Sequence, residues 1–187
     1  MDQYLRKPDI GPFFNKTVNI MNIALVAHDE REKELIEWVR YNWETLSKHN
    51  LYAAGPIGKK IEEIYIGEAK SGYWDEYEWC YDYKDVIFPF RNKINKLYKN
   101  SLGGTQQIGA MIAEGKIDVL VSFYNNFMAQ GQQNDVPELT RLASLYNIAF
   151  ATNRTTADMI LTSPLFDNPE YKRILPAAIE NYKNRQV

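Results

Sequence analysis

The feature that most constrains the fold is the alternation of short apolar runs with longer amphipathic runs from about residue 20 onward. Asp118–Tyr124 (DVLVSFY) is the strongest strand signal, and Asn22–His28 is predicted as a second buried strand. Between these strands, apolar residues recur at helical spacing, as in Glu30–Lys48. Strands that alternate with helices predict crossover connections and a parallel sheet covered by helices on both faces.

The rest of the chain continues this pattern and favours a single α/β domain over residues 1–187. Ligands of open parallel sheets bind beyond the carboxyl ends of the strands, so the loops after the strands are the candidate site. The further strands are predicted at Leu51–Ala54, Lys93–Tyr98 and Ile148–Thr152, and the further helices at Lys59–Tyr65, Gly103–Glu114, Asp135–Tyr146, Thr155–Leu161 and Pro169–Lys183.

Composition narrows the functional classes. The chain has 22 Lys and Arg against 24 Asp and Glu, a net charge of −2 that disfavours nucleic-acid binding. A single cysteine, Cys80, excludes an internal disulfide, and with two histidines we expect neither a metal nor a cofactor. No apolar run is long enough to span a membrane and the N-terminus does not resemble a secretory signal, so we expect a cytosolic protein.

Four segments in order resemble the methylglyoxal synthase family. They are VAHD (Val26–Asp29), LYAAGPIG (Leu51–Gly58), LGGTQQIGAMIAEGKIDVL (Leu102–Leu120) and NIAFATNRTTADMILTSP (Asn147–Pro164). The resemblance implies a three-layer α/β/α fold with a central five-stranded parallel sheet. It also implies a homo-oligomer, most often a hexamer.

The resemblance also implies a chemistry. Methylglyoxal synthases eliminate phosphate from dihydroxyacetone phosphate, which requires a base for a carbon-bound proton, donors for the enediolate and a phosphate cradle. The family's base is an aspartate in a Gly-Gly-Asp-Gln-Gln motif, where this chain has Thr105. The family's cradle, Thr-Gly-Thr-Thr-Gly, is replaced by Ala54–Gly58, in which Pro56 has no backbone N–H.

These substitutions predict a binding site without the chemistry. The expected function is a non-catalytic protein, a pseudoenzyme, that senses or sequesters a small phosphorylated or nucleotide-derived ligand. Two alternatives stay open. One is a methylglyoxal synthase with a relocated base, with Asp29 and His28 as its catalytic residues and Glu32 or a carboxylate of the insertion as further candidates. The other is a protein-interaction module.

Most of the expected ligand-binding residues lie in the same motifs. Trp74 and Trp79 come from an aromatic-rich insertion, and Asn125, Asp135 and Arg185 lie outside the motifs. His28 and Asp29 also have structural interpretations, as a partner of backbone groups and as a helix cap, and Thr105 has the latter one too. Glu32 replaces a basic family position, and Arg31 and Lys33 beside it are candidates to compensate. Arg185 is expected to reach a neighbouring subunit's site. The full set is His28, Asp29, Gly55, Gly58, Gly103, Gly104, Thr105, Gln106, Asn125, Asp135, Asn153, Trp74, Trp79 and Arg185.

An aromatic-rich insertion is predicted at residues 66–98. Its sequence SGYWDEYEWCYDYKDVIFPF combines aromatic and acidic side chains and predicts a hairpin or small subdomain. In one interpretation its rings pack on one another or on another subunit. In the other it caps the pocket, and the rings of Trp74 and Trp79 stack on a flat ligand.

Overall fold

A parallel five-stranded sheet forms the centre of the structure, a computed structural model that describes residues 19–70, 94–124, 135–166 and 168–185. The strands lie in the order β3-β2-β1-β4-β5, and every neighbouring pair is parallel. This confirms the predicted fold class. The strands are β1 (Asn22–Ala27), β2 (Asn50–Ala53), β3 (Ile94–Lys96), β4 (Val119–Phe123) and β5 (Ala149–Ala151).

Helices cover both faces of the sheet. Side chains alternate along β1, so Ile23 and Leu25 join one buried cluster with Trp38 of α1, whereas Ala24 joins another with Ile108 of α4. This gives the three-layer α/β/α arrangement. The helices are α1 (Glu32–Tyr41), α2 (Trp43–Leu46), α3 (Ile57–Lys70), α4 (Gly104–Ala113), α5 (Asp135–Leu145), α6 (Arg154–Leu161) and α7 (Ala177–Arg185).

The prediction of one continuous helix over Glu30–Lys48 is wrong, because this range is divided into a 3₁₀ turn and two helices. A 3₁₀ turn at Asp29–Arg31 precedes α1, and α1 ends before Asn42, whose φ of −104° and ψ of 16° leave the helical region. The Asn42 side chain donates a hydrogen bond to the Trp38 carbonyl oxygen at 3.0 Å. Such bonds from asparagine to nearby backbone groups compete with continuation of the helix.

Two further boundaries differ from the prediction. The last helix begins at Ala177 rather than Pro169, because Pro176 cannot donate to a preceding turn and its carbonyl instead accepts from Ile179 N and Glu180 N. Helix α3 runs to Lys70, so the start of the predicted insertion continues this helix, and its end contains β3. The aromatic core of the insertion lies outside the described residues. Across the described ranges, no helix has the length and apolar character that crossing a membrane requires.

We predict that Asp158→Ala lowers the free energy of unfolding by about 1.5–3 kcal/mol, because it removes the charged acceptor of a buried donor. Trp38 is fully buried, and its indole Nε1 donates to Asp158 Oδ1 at 2.7 Å, which joins α1 to α6. Urea unfolding measures the change. Met159→Ala is the control, since Met159 is 67% exposed, and it should change stability by no more than about 0.5 kcal/mol. Equal losses in the two variants would contradict the assignment.

Candidate functional site

The site expected from the topology lies where the parallel strands end. His28 and Asp29 follow β1, Gly55 follows β2, Gly103 follows β3 and Asn153 follows β5. The loop after β4 falls in residues 125–134, outside the described part of the chain. Four of the five loops that the sequence singles out are therefore seen at one edge of the sheet, and the role of their residues in binding stays a prediction.

Hydrogen bonds between the loops make this edge continuous. Gly55 N donates to Tyr98 O at 3.0 Å, which joins the loops after β2 and β3. The side-chain Nδ2 of Asn100 donates to Ala27 O at 3.2 Å, which brings the loop after β3 to the end of β1. His28 N donates to Phe123 O at 3.0 Å and so ties the end of β1 to β4.

His28 and Asp29 present two titratable groups next to each other at the end of β1. His28 is half-buried, and its ring meets the edge of Tyr124 with centroids 6.1 Å apart. Asp29 is exposed. The cap positions of the 3₁₀ turn and of α1 are His28 and Arg31, and neither makes a side-chain capping bond. Asp29 is therefore not the helix cap that the sequence allowed.

The glycine pair after β3 is required by the backbone. Gly103 has φ of +98°, a left-handed conformation that side chains other than hydrogen disfavour. A Cβ atom on Gly104 would lie 2.0 Å from Tyr98 O. Gln107 strengthens the same turn, because its Oε1 accepts from Tyr98 N at 2.9 Å. The loop therefore has a fixed shape against the end of β3.

Thr105, the residue at the family's aspartate position, is buried with 2% exposure. Its hydroxyl donates to Gln106 Oε1 at 3.0 Å. The N-cap of α4 is Gly103, not Thr105, so the predicted capping role is wrong. A hydroxyl in this setting fills space and donates a hydrogen bond, but it does not provide a base for a carbon-bound proton.

The loop after β2 is also tightly packed. Gly55 has φ of +58°, and a Cβ atom there would lie 3.2 Å from the Cα of Lys99. A Cβ atom on Gly58 would lie 2.8 Å from Lys96 Cγ. These two glycines let the start of α3 approach the loop after β3 closely. Lys99, which the sequence did not single out, is exposed at this junction.

The other predicted residues have separate placements. Asn153 is the N-cap of α6, and its Oδ1 accepts from Thr156 N at 2.9 Å, which explains the residue structurally. Asp135 begins α5, and Arg185 is the exposed last residue of α7. Asn125, Trp74 and Trp79 lie outside the described residues.

The sequence missed an ion pair at this edge. Lys60 of α3 donates to Glu32 of α1, whereas the two cations expected to compensate for Glu32 pair elsewhere. Arg31 contacts Glu34 at 2.6 Å and Lys33 contacts Glu37 at 3.9 Å. No spacing rule could have found the Glu32–Lys60 pair, because it depends on how α1 packs beside α3.

Two cavities lie in the described part of the chain. A recess of about 280 Å³ between α4 and α5 is lined by Thr105, Gly109 and Glu138. Arg141 donates two hydrogen bonds to the Glu138 carboxylate and lowers its pKa, so Glu138 stays ionised at neutral pH.

A larger cleft of about 340 Å³ lies at the opposite edge of the sheet, where Asp118 precedes β4. We place the site at the carboxyl edge, because the titratable residues and glycine turns meet there.

The described residues form no group of three histidine, cysteine, aspartate or glutamate side chains that could hold a metal ion. The expectation of no cofactor stays a prediction.

We predict that Gly104→Ala lowers the free energy of unfolding by about 1–3 kcal/mol, because the added methyl group would overlap a backbone carbonyl. Gly109→Ala in the same helix is the matched control. Its Cβ would meet the side-chain ends of Leu142 at 3.3 Å and Leu139 at 3.7 Å, and alanine favours the helix by up to about 1 kcal/mol. Chemical denaturation of both variants measures the difference, and a Gly104→Ala protein as stable as Gly109→Ala would refute the steric argument.

Comparison with known proteins identifies relatives over most of the chain. The MGS-like domain family model matches residues 84–152. A methylglyoxal synthase from Maridesulfovibrio salexigens is 40% identical over 154 residues, which cover 82% of this chain and 90% of that protein. A methylglyoxal synthase from Coxiella burnetii is 36% identical over 170 residues, 91% of this chain and 100% of that protein. The crystal structure of methylglyoxal synthase from Elizabethkingia anophelis NUHP1 superposes with a TM-score of 0.66 and 33% identity, covering 90% of this chain and 93% of that one.

These relatives contradict the leading expectation from the sequence. A non-catalytic protein that binds a nucleotide-derived ligand was expected, whereas the relatives that match nearly the whole chain are named as enzymes. Thr105 and Pro56 are single positions within a chain that is similar to these enzymes along most of its length. The relatives are lyases, and the chain belongs to the methylglyoxal synthase family.

Proposed function

We propose that this protein is a methylglyoxal synthase that eliminates phosphate from dihydroxyacetone phosphate. The observation that carries the proposal is the 40% identity to a methylglyoxal synthase over 90% of that protein's length. The glycine turns and the joined loops at the carboxyl edge support it, because they hold a fixed backbone shape beside the titratable side chains of His28 and Asp29. A cytosolic location and a homo-oligomer, to whose neighbouring site Arg185 contributes, remain predictions of this proposal.

The base assigned by the proposal is Asp29. The Thr105 hydroxyl is buried and donates to Gln106, so the base has to come from another residue. Glu32 is held by Lys60, and Glu138 is held by Arg141. Asp29 is exposed at the end of β1 and forms no ion pair with another described residue. Among the described carboxylates at this edge, the proposal therefore assigns the proton transfer to that of Asp29.

The reaction can be written through these groups. The Asp29 carboxylate takes a proton from the hydroxymethyl carbon of dihydroxyacetone phosphate, and the electron pair of that C–H bond forms the C=C bond of an enediolate. The carbon–oxygen bond to phosphate then breaks, and phosphate leaves with the electron pair. The resulting enol takes up a proton at carbon to give methylglyoxal. The proposal assigns to His28, beside Asp29, the hydrogen bond that stabilises the enediolate oxygen.

We predict that the purified protein releases methylglyoxal and inorganic phosphate in equal amounts from dihydroxyacetone phosphate, and that Asp29→Asn lowers kcat by about 10²–10⁴-fold. The neighbouring exposed Glu30 provides the control, since Glu30→Gln removes a charge from the same turn and should leave kcat within about twofold. Coupled assays of both products measure the rates.

Each failure has a distinct meaning. No turnover by the unmodified protein would contradict the proposed activity. Turnover that survives Asp29→Asn would contradict the assigned base and leave the activity in place. Thr105→Asp serves as a parallel sample, because a gain in rate would show that the recess around α4 accepts the substrate and that position 105 faces its reacting carbon.

A further inference from the structure

An ion pair crosses between two helices at the carboxyl edge of the sheet. Lys60 Nζ, in the first turn of α3, donates to Glu32 Oε1, at the start of α1. The two side chains are unequally exposed, 13% for Glu32 and 52% for Lys60. The carboxylate is thus mostly covered, while the ammonium group remains open to solvent and to ligands.

Each partner is anchored to a loop of the candidate site. Glu32 N donates to Asp29 O, which fixes the carboxylate to the turn that holds the proposed base. Lys60 N donates to Pro56 O at 3.1 Å, which fixes the lysine to the loop after β2. The ion pair therefore joins the loop of Asp29 to the loop of Gly55 and Pro56.

Several neighbouring cations form ion pairs with other carboxylates. Lys59 pairs with Glu63 along α3, and Arg31 and Lys33 pair along α1. Lys96 pairs with Glu62, two positions after Lys60 in α3. Lys99 is exposed at the junction of the loops after β2 and β3. Lys60 differs from it, because an ion pair joins Lys60 to Glu32 at the start of α1, next to the turn of Asp29.

The chemistry of Lys60 suits a phosphate group. Its hydrogen bond to Glu32, together with the negative charge of Glu32, raises the pKa of its ammonium group, so the group stays protonated wherever phosphate is a dianion. An ammonium has three donors, of which Glu32 uses one, and lysine is a common point-charge ligand of phosphate. A three-carbon phosphate is short, so the base and the phosphate-binding cation must lie on adjacent loops.

We propose that Lys60, positioned by Glu32, binds the phosphate group of the substrate at this edge. The inference rests on the proposed function for the identity of the substrate, but it concerns binding and not proton transfer. It assigns a binding role to a residue of α3 that the sequence motifs did not include. It also explains how the chain accommodates Glu32, an acidic residue, beside a site for an anion.

The test measures binding and turnover separately. Isothermal titration calorimetry at low ionic strength gives the Kd for inorganic phosphate, and steady-state kinetics give KM and kcat for dihydroxyacetone phosphate. Lys60→Met should weaken phosphate binding and raise KM by about 10- to 100-fold, while kcat changes by less than about threefold. Lys59→Met is the matched control and should leave both constants within about twofold.

A charge exchange tests the position of the cation. In the double variant Glu32→Lys/Lys60→Glu the pair is kept but its positive member moves to α1, so phosphate binding should return to within about fivefold of the unmodified protein. The single variant Lys60→Glu should bind phosphate more weakly than Lys60→Met. Thermal unfolding of each variant shows whether an affinity change comes from loss of the fold, and Lys60→Arg, which keeps the charge, should bind phosphate within a few-fold.

Equal phosphate affinities of Lys60→Met and Lys59→Met would overturn the inference. If the unmodified protein converts the substrate but Lys60→Met keeps its KM, the inference fails and the proposed function stands. If the protein binds phosphate in a Lys60-dependent manner without converting dihydroxyacetone phosphate, the proposed function fails and the assignment of Lys60 stands.

Discussion

The parallel hydrogen-bond ladder on both sides of β1 is the interaction on which the rest of the structure depends. β1 pairs with β2 on one side and β4 on the other, so its end determines where both neighbouring strands end. Because all strands run the same way, the loops that follow them meet at one edge. The bonds from Asn100 to Ala27 and from Gly55 to Tyr98 then hold those loops against one another. The geometry of the candidate site is thus a direct consequence of strand direction.

Much of this arrangement can be predicted from periodicity alone. All five strands agree with the prediction, and β1 and β4 are the clearest because each is a nearly continuous buried apolar run. The failures occur where a polar side chain or a proline competes locally with the helix. Asn42 ends α1 through its own side chain, and Pro176 delays the last helix. Such effects depend on one residue, whereas hydrophobic periodicity is a property of a whole segment and does not detect them.

The site was predictable in outline and not in its contacts. His28, Asp29 and the glycines lie where the motifs indicate, because a residue that directly follows a predicted strand must lie at the end of that strand. The pairing of Lys60 with Glu32 and that of Thr105 with Gln106 could not be anticipated, since each depends on the packing of side chains. The functional interpretation failed for a related reason. A residue type at one position shows what that side chain is unable to do, but it does not show what its neighbours supply.

The contact between Gly104 and the Tyr98 carbonyl separates two properties of the loop after β3 that are often linked. The shape of the loop is set by backbone atoms and by the left-handed Gly103, none of which involve the side chain at position 105. The backbone contacts that fix this loop are therefore separate from the buried side chain at position 105. A protein built in this way can exchange the chemical group at the start of α4 during evolution without having to redesign the loop that presents it.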